Sequence, residues 1–116
     1  MRRVELGRKG EALARKYLIS QGYRILETNH RSQYGEIDII CEYKETIIFV
    51  EVKSRTSEIF GTPAESVNWQ KQKRLHRLAQ EYLVARKLES RPVRFDVLSV
   101  LFLPNDIQIE HLPGAF

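Results

Sequence analysis

The stretch Gly35-Glu36-Ile37-Asp38-Ile39-Ile40-Cys41-Glu42-Tyr43-Lys44-Glu45-Thr46-Ile47-Ile48-Phe49-Val50-Glu51-Val52-Lys53 decides the fold. Two β-branched runs are joined by the polar tetrad Glu42 to Glu45, which predicts a hairpin. Alternate side chains of a strand share a face. Glu36, Asp38 and Ile40 are therefore expected on one side with Phe49, Glu51 and Lys53, and Ile37, Ile39, Ile48, Val50 and Val52 on the other. A turn within the tetrad sets Asp38 opposite, or one position from, Val50 and Glu51, so the two acids converge across the ladder. Lys53 follows Glu51 on the same face, about 6.7 Å further along the strand.

Upstream, Leu6, Leu13 and Tyr17 recur at helical spacing with Ala14 and Leu18 beside them, giving an amphipathic helix from about Val4 to Gln21 that Gly22 ends. A first strand follows over Tyr23 to Asn29, with a turn at Ser32-Gln33-Tyr34-Gly35. Downstream of the hairpin, Ser54 to Gly61 is a polar loop. Thr62-Pro63-Ala64-Glu65 then supplies an N-cap, a first-position proline and an acid. The second helix carries the stripe Val67, Leu75, Leu78, Ala79, Tyr82 and Leu83 and runs to near Leu88. Val93 to Leu103 and Ile107 to Leu112 are two further strands, parted by the turn Pro104-Asn105-Asp106. The order αβββαββ predicts an α/β fold with a central mixed sheet of about five strands flanked by two helices.

At 116 residues, 42% hydrophobic and 29% charged, the chain is expected to form a single globular domain over 1–116. The net charge of +4 favours an anionic partner. The lone Cys41 fits a reducing compartment. No stretch approaches the roughly 18 apolar residues of a membrane span, and no apolar region follows the N-terminus, so a cytoplasmic protein without a membrane partner is expected. Gly7-Arg8-Lys9-Gly10 lacks the preceding strand and the Lys-Ser/Thr ending of a phosphate loop. His30, His76 and His111 are scattered, with no nucleophile elbow, which argues against a catalytic triad.

Two carboxylates on one patch repel, and a cation relieves them. Hard oxygen donors without a Cys/His cluster suit Mg²⁺ or Mn²⁺. A nearby lysine can orient water or stabilise developing charge, so the parts for phosphodiester hydrolysis are present. By pattern alone, the same residues also fit the solvated face of an amphipathic hairpin with an exposed ion pair. Glu11 falls at the edge of the first helix's apolar arc, and Lys71 lies within the stripe of the second. Arg31 and Arg55 flank the hairpin acids, and with Lys71 and Arg74 they are candidate phosphate contacts.

Gly10-Glu11, Gly35-Glu36-Ile37-Asp38, Phe49-Val50-Glu51-Val52-Lys53-Ser54-Arg55, Arg94-Phe95-Asp96-Val97 and the closing Ala115-Phe116 resemble the YraN family of small bacterial proteins. That family is similar to the PD-(D/E)xK nucleases, near the archaeal Holliday-junction resolvases. The resemblance implies a restriction-endonuclease-like core in which Asp38 is the motif aspartate, Glu51 and Lys53 the (D/E)xK pair, the Val52 carbonyl a further metal ligand and Glu11 the helix-borne acid. A lysine at the place of Lys71 is also part of it. Ile37 stands where the motif name has proline. The function implied is a Mg²⁺- or Mn²⁺-dependent endonuclease on DNA, selective for branched or junction structures, for which a symmetric cut requires a homodimer. The alternatives are a nucleic-acid-binding module without turnover and an adaptor in a processing assembly.

Overall fold

The computed structural model describes residues 2–56 and 67–116. Its elements are α1 (Arg3–Ser20), β1 (Arg24–Ser32), β2 (Gly35–Tyr43), β3 (Thr46–Arg55), α2 (Trp69–Ala85), β4 (Val93–Leu103) and β5 (Asp106–Leu112), in the expected α/β order. They form one mixed sheet in the order β1-β2-β3-β4-β5. Three neighbouring pairs are antiparallel, while β3 and β4 run parallel and are joined through α2. No helix among the described residues is long and apolar enough to cross a membrane.

Gly22 ends α1 as a left-handed residue with φ +91°. The Gly22 N–H donates to the Ile19 carbonyl at 3.0 Å and the Tyr23 N–H to the Leu18 carbonyl at 2.9 Å, the paired bonds of a Schellman stop. The start of α2 differs from expectation. Thr62-Pro63-Ala64-Glu65 lies outside the described residues, and Val67 and Asn68 are not helical. The helix described here begins at Trp69, capped by Asn68, whose side chain accepts the Lys71 N–H at 2.9 Å. Asparagine at this position satisfies a backbone donor that would otherwise be orphaned.

The helices cover opposite faces of the sheet. Ala14 and Leu18 of α1 pack with Ile39, Cys41, Ile48, Val50, Leu98 and Val100. Leu75, Leu78, Ala79 and Tyr82 of α2 pack with Ile37, Ile40, Ile47, Phe49 and Val97. Ile47-Ile48-Phe49-Val50 is thus buried on both faces, as befits a central strand with a parallel neighbour. This corrects the expectation that Ile37 shares a face with Ile39: the two sit in different clusters, and the alternation breaks at Asp38. The cause lies in the neighbouring strands. In β1, Asn29 adopts a left-handed φ of 51° between the pairs Thr28↔Ile39 and His30↔Ile37, while the β2–β3 ladder ends at Ile39↔Val50. The strands separate where Asp38 would face Glu51.

Candidate functional site

Where the ladder stops, the Asp38 side chain takes over the role of a backbone acceptor: its Oδ2 accepts the Val52 N–H at 2.8 Å. Asp38 therefore stands in the gap between the strands and fastens to the strand that carries Glu51 and Lys53. A cleft of about 310 Å³ opens there, lined by Glu11, Asp38, Glu51, Val52 and Lys53 together with Arg3, Leu6, Gly7 and Ser54. Every residue implied as catalytic or metal-ligating by the YraN resemblance lies on this cleft. For Val52, the group engaged here is its N–H.

Glu11 reaches the cleft because α1 packs very closely on β3. A Cβ built on Gly10 would meet Ser54 Oγ at 1.7 Å and Ser54 Cβ at 2.9 Å, so glycine sets this approach. Oxygens of Glu11, Glu36 and Asp38 lie within 4.8 Å of one another. Asn29 Nδ2 donates to Glu11 at 3.1 and 3.3 Å and to Glu36 at 2.9 Å, holding two of these carboxylates with one amide. Glu36 also accepts Arg31 Nε at 3.0 Å.

Glu51 belongs to the other bank of the cleft. It is only 7% exposed. Its Oε1 takes Lys71 Nζ at 2.6 Å, with Lys53 Nζ at 3.7 Å from the same oxygen. Lys71, a candidate phosphate contact from its place on the helix, is thus engaged by an acid of the site. Arg31 and Arg74 lie toward the Glu36 side, where Arg74 lines a small hollow with Lys71, Gly35 and Glu36. Arg55 stands apart, on a separate cleft of about 410 Å³ with Ser99, Gln108 and Glu110.

The electrostatics follow from this crowding. Burial, and next the Glu51 carboxylate, push the Asp38 carboxyl up to about 7, against the opposing Val52 N–H. Burial, and next the neighbouring Lys71 ammonium, hold the Lys53 amine below the usual lysine range. Burial also works against the charge of Lys71, yet the Glu51 carboxylate outweighs it and keeps that amine above its ordinary value. The cleft therefore presents oxygen donors that repel one another, a carboxyl whose ionisation is suppressed and a lysine whose amine sits below its ordinary range.

Asn29 carries a role that its sequence neighbourhood does not disclose. The one local signal is residue type, since Asn tolerates left-handed backbone better than most. Asp96 is a second such residue. It is fully buried and accepts Arg94 Nε and Nη2 at 2.8 Å each, His111 Nε2 at 2.7 Å and the Gly114 N–H at 3.0 Å. Its sequence signal is a lone acid within the apolar run of β4.

The chain matches the family described as "Uncharacterised protein family UPF0102" over residues 10–100, a span that contains Glu11, Asp38, Glu51 and Lys53. It is 49% identical over 116 residues to a UPF0102 protein of Thermodesulfovibrio yellowstonii, covering 100% of this chain and 99% of that one. A UPF0102 protein of Clostridioides difficile is 45% identical over 116 residues, with 100% of both chains covered. One from Alkaliphilus metalliredigens is 49% identical over 112 residues, covering 96% of each. With the family match spanning most of the chain and full-length relatives at this identity, the protein belongs to the UPF0102 family, the family its motifs resemble as YraN.

Proposed function

We propose that the cleft is a divalent-cation site and that the protein is an endonuclease hydrolysing phosphodiester bonds in DNA, branched DNA included. The observation that carries this reading is the convergence of Glu11, Asp38, Glu51 and Lys53 on one cleft, drawn from α1, β2 and β3. The donor set suits Mg²⁺ or Mn²⁺: it consists of carboxylate oxygens, and the raised Asp38 marks a buried carboxyl crowded by a second acid. Asp38 and Glu11 would hold the ion, Glu36 stands within reach of both, and Glu51, paired with Lys71, would join them with the Val52 carbonyl. When bound, such an ion supplies neutralisation of phosphate charge and a more acidic water.

The chain's own groups account for the rest. Lys53, its amine already weakened as a base for protons by burial and Lys71, can hand a proton to or take one from a water at the phosphate, or stabilise charge growing on its oxygens. Arg31 and Arg74, together with Lys71 once it is released from Glu51, supply phosphate contacts that position a backbone without reading its sequence. A symmetric cut across a junction requires two such clefts, hence a homodimer.

A second reading, a nucleic-acid-binding module without turnover, is favoured by the Lys71–Glu51 pair, which neutralises Glu51 within the protein itself. Cleavage assays over linear and four-way-junction DNA with Mg²⁺ or Mn²⁺ separate the two. The nuclease reading expects metal-dependent cuts that Glu51→Ala and Asp38→Ala abolish while metal-free DNA binding persists. Lys53→Ala should slow cutting with little change in metal affinity. Binding without cutting across the whole panel, unaltered by these substitutions, selects the binding module.

A further inference from the structure

We propose that Trp69 is a stacking platform for an unpaired nucleobase, so that the nucleic acid engaged by this protein carries single-stranded or unpaired nucleotides beside the cleft. The inference rests on the nucleic-acid reading above and names its substrate class.

Trp69 opens α2 and is 70% exposed, more than any other exposed large hydrophobic side chain among the described residues. Leaving an indole in water forgoes about 3 kcal/mol of burial, which makes so large an exposed apolar side chain a candidate contact. Its surroundings indicate the chemistry of that contact. Lys73 Nζ lies 5.6 Å from the ring centroid. Residues 69–77 hold Lys71, Lys73, Arg74 and Arg77 and no acid, so the helix segment presenting the ring is strongly cationic. An apolar protein partner has no use for that charge, whereas a polyanion with π faces matches both features.

The placement ties the ring to the cleft. Trp69 is two residues from Lys71, whose Nζ rests on Glu51 at 2.6 Å. Residues two apart point to nearly opposite sides of a helix, so Lys71 turns inward to Glu51 while Trp69 turns out to solvent, and a strand running from the cleft to the indole has to pass only the width of the helix, about 10 Å. In an intact duplex the base faces are already stacked on one another. Stacking on Trp69 is therefore open to a base in a gap, flap, junction or single strand.

The chain has a single tryptophan, so its fluorescence, excited at the red edge of the indole absorption where the five tyrosines do not absorb, reports Trp69 alone. The test titrates the protein, in EDTA so that no cutting occurs, with oligo(dT), with an abasic oligomer of equal length and phosphate number, and with a blunt duplex. Fluorescence anisotropy of end-labelled oligomers gives affinity in parallel. The proposal expects strong quenching by oligo(dT), little by the abasic strand or the duplex, and a loss of about tenfold in oligo(dT) affinity in Trp69→Ala, partly restored in Trp69→Phe. Duplex affinity and the steepness of its salt dependence should be unchanged in both variants. Equal affinity for oligo(dT) and the abasic strand, or binding of oligo(dT) without quenching, overturns base stacking and leaves the nucleic-acid reading standing. No binding of any oligomer at low salt overturns both.

Discussion

Asp96 and Asp38 are drawn out of water by the same sheet, yet their carboxyls respond in opposite ways. Asp96 has no exposed surface, and burial alone would raise it, but Arg94, His111 and the Gly114 N–H together hold it below the usual carboxylate range. Asp38 receives one backbone N–H and faces Glu51 and Glu11, so burial wins and the carboxyl rises to about 7. The first acid is fully satisfied by protein donors and stitches β4 to β5 and the C-terminal turn. The second is held by one backbone N–H beside other acids in an open cleft, with Lys71 offsetting them only in part. What marks a site in this fold is thus the unmet demand of a buried charge, and depth of burial alone would have pointed to the wrong aspartate.

The largest expected effect breaks the satisfied acid. Asp96→Ala strands the Arg94 guanidinium and His111 without their shared acceptor and should cost about 3–5 kcal/mol, read as a lower urea midpoint at unchanged slope. A variant within about 1 kcal/mol of the parent would show that the network contributes little. The two acids should also give opposite pH slopes. Asp96 is depressed, so its contribution is present above the unfolded carboxylate range and is lost as pH falls through the folded value.

Asp38 is raised from 3.8 to about 7, so the native state retains a proton that the unfolded state has released. Its presence therefore destabilises progressively as pH climbs from about 4 to about 7, and fully above that. Asp38→Asn, which cannot ionise, should match the parent near pH 4 and exceed it by about 2–4 kcal/mol at pH 8 without divalent ions. Millimolar Mg²⁺ should then stabilise the parent more than the variant. Equal stability of parent and variant at both pH values would remove the contrast with Asp96.

A smaller effect is expected at Gly10→Ala. The new methyl collides with Ser54, costing about 1–3 kcal/mol and pushing Glu11 off the cleft, while the acid limb set by Asp96 stays in place. Ser54→Gly in the same chain should recover most of the loss; if it does not, the Gly10–Ser54 approach is not what sets α1. The smallest is at Asn29→Gly, which keeps the left-handed backbone and deletes the amide between Glu11 and Glu36. Thermal stability should shift by about 1 kcal/mol or less, with divalent-ion affinity lowered about tenfold by calorimetry.

Much of the fold was legible because local chemistry and tertiary context agree. The hairpin tetrad, the stop at Gly22 and the Pro104-Asn105 turn each specify the backbone within a few residues. The acids Asp38 and Glu51 were legible for a related reason, since a charge inside a β-branched run stands out against its neighbours. The break in alternation between Ile37 and Ile39 was not legible, because it arises from Asn29 on the adjacent strand. The expected start of α2 at Thr62 lies outside the described residues, and Asn68, which caps the helix at Trp69, was not legible as a cap because an asparagine ahead of a polar stretch carries little signal by itself. The partners of Asp96 lie 15 and 18 residues away and meet it only after β5 folds back. Lys71 was correctly placed in the stripe of α2, but its engagement with Glu51 depends on the crossover joining β3 to β4.

The early end of the β2–β3 ladder also has a mechanical consequence. Above Ile39↔Val50, β3 continues to pair with β4 as far as Arg55↔Leu101, so its upper half travels with β4 while Glu36 and Asp38 travel with β1 and β2. The acids are thus mounted on two rigid plates that meet along a seam, with the Asp38–Val52 hydrogen bond as a latch across it. A change in twist between the plates alters the spacing of the carboxylates. The Val52 amide proton is the gauge for that motion: its exchange with solvent deuterium should slow when the latch is shut and quicken when the Asp38 carboxylate turns away to another partner.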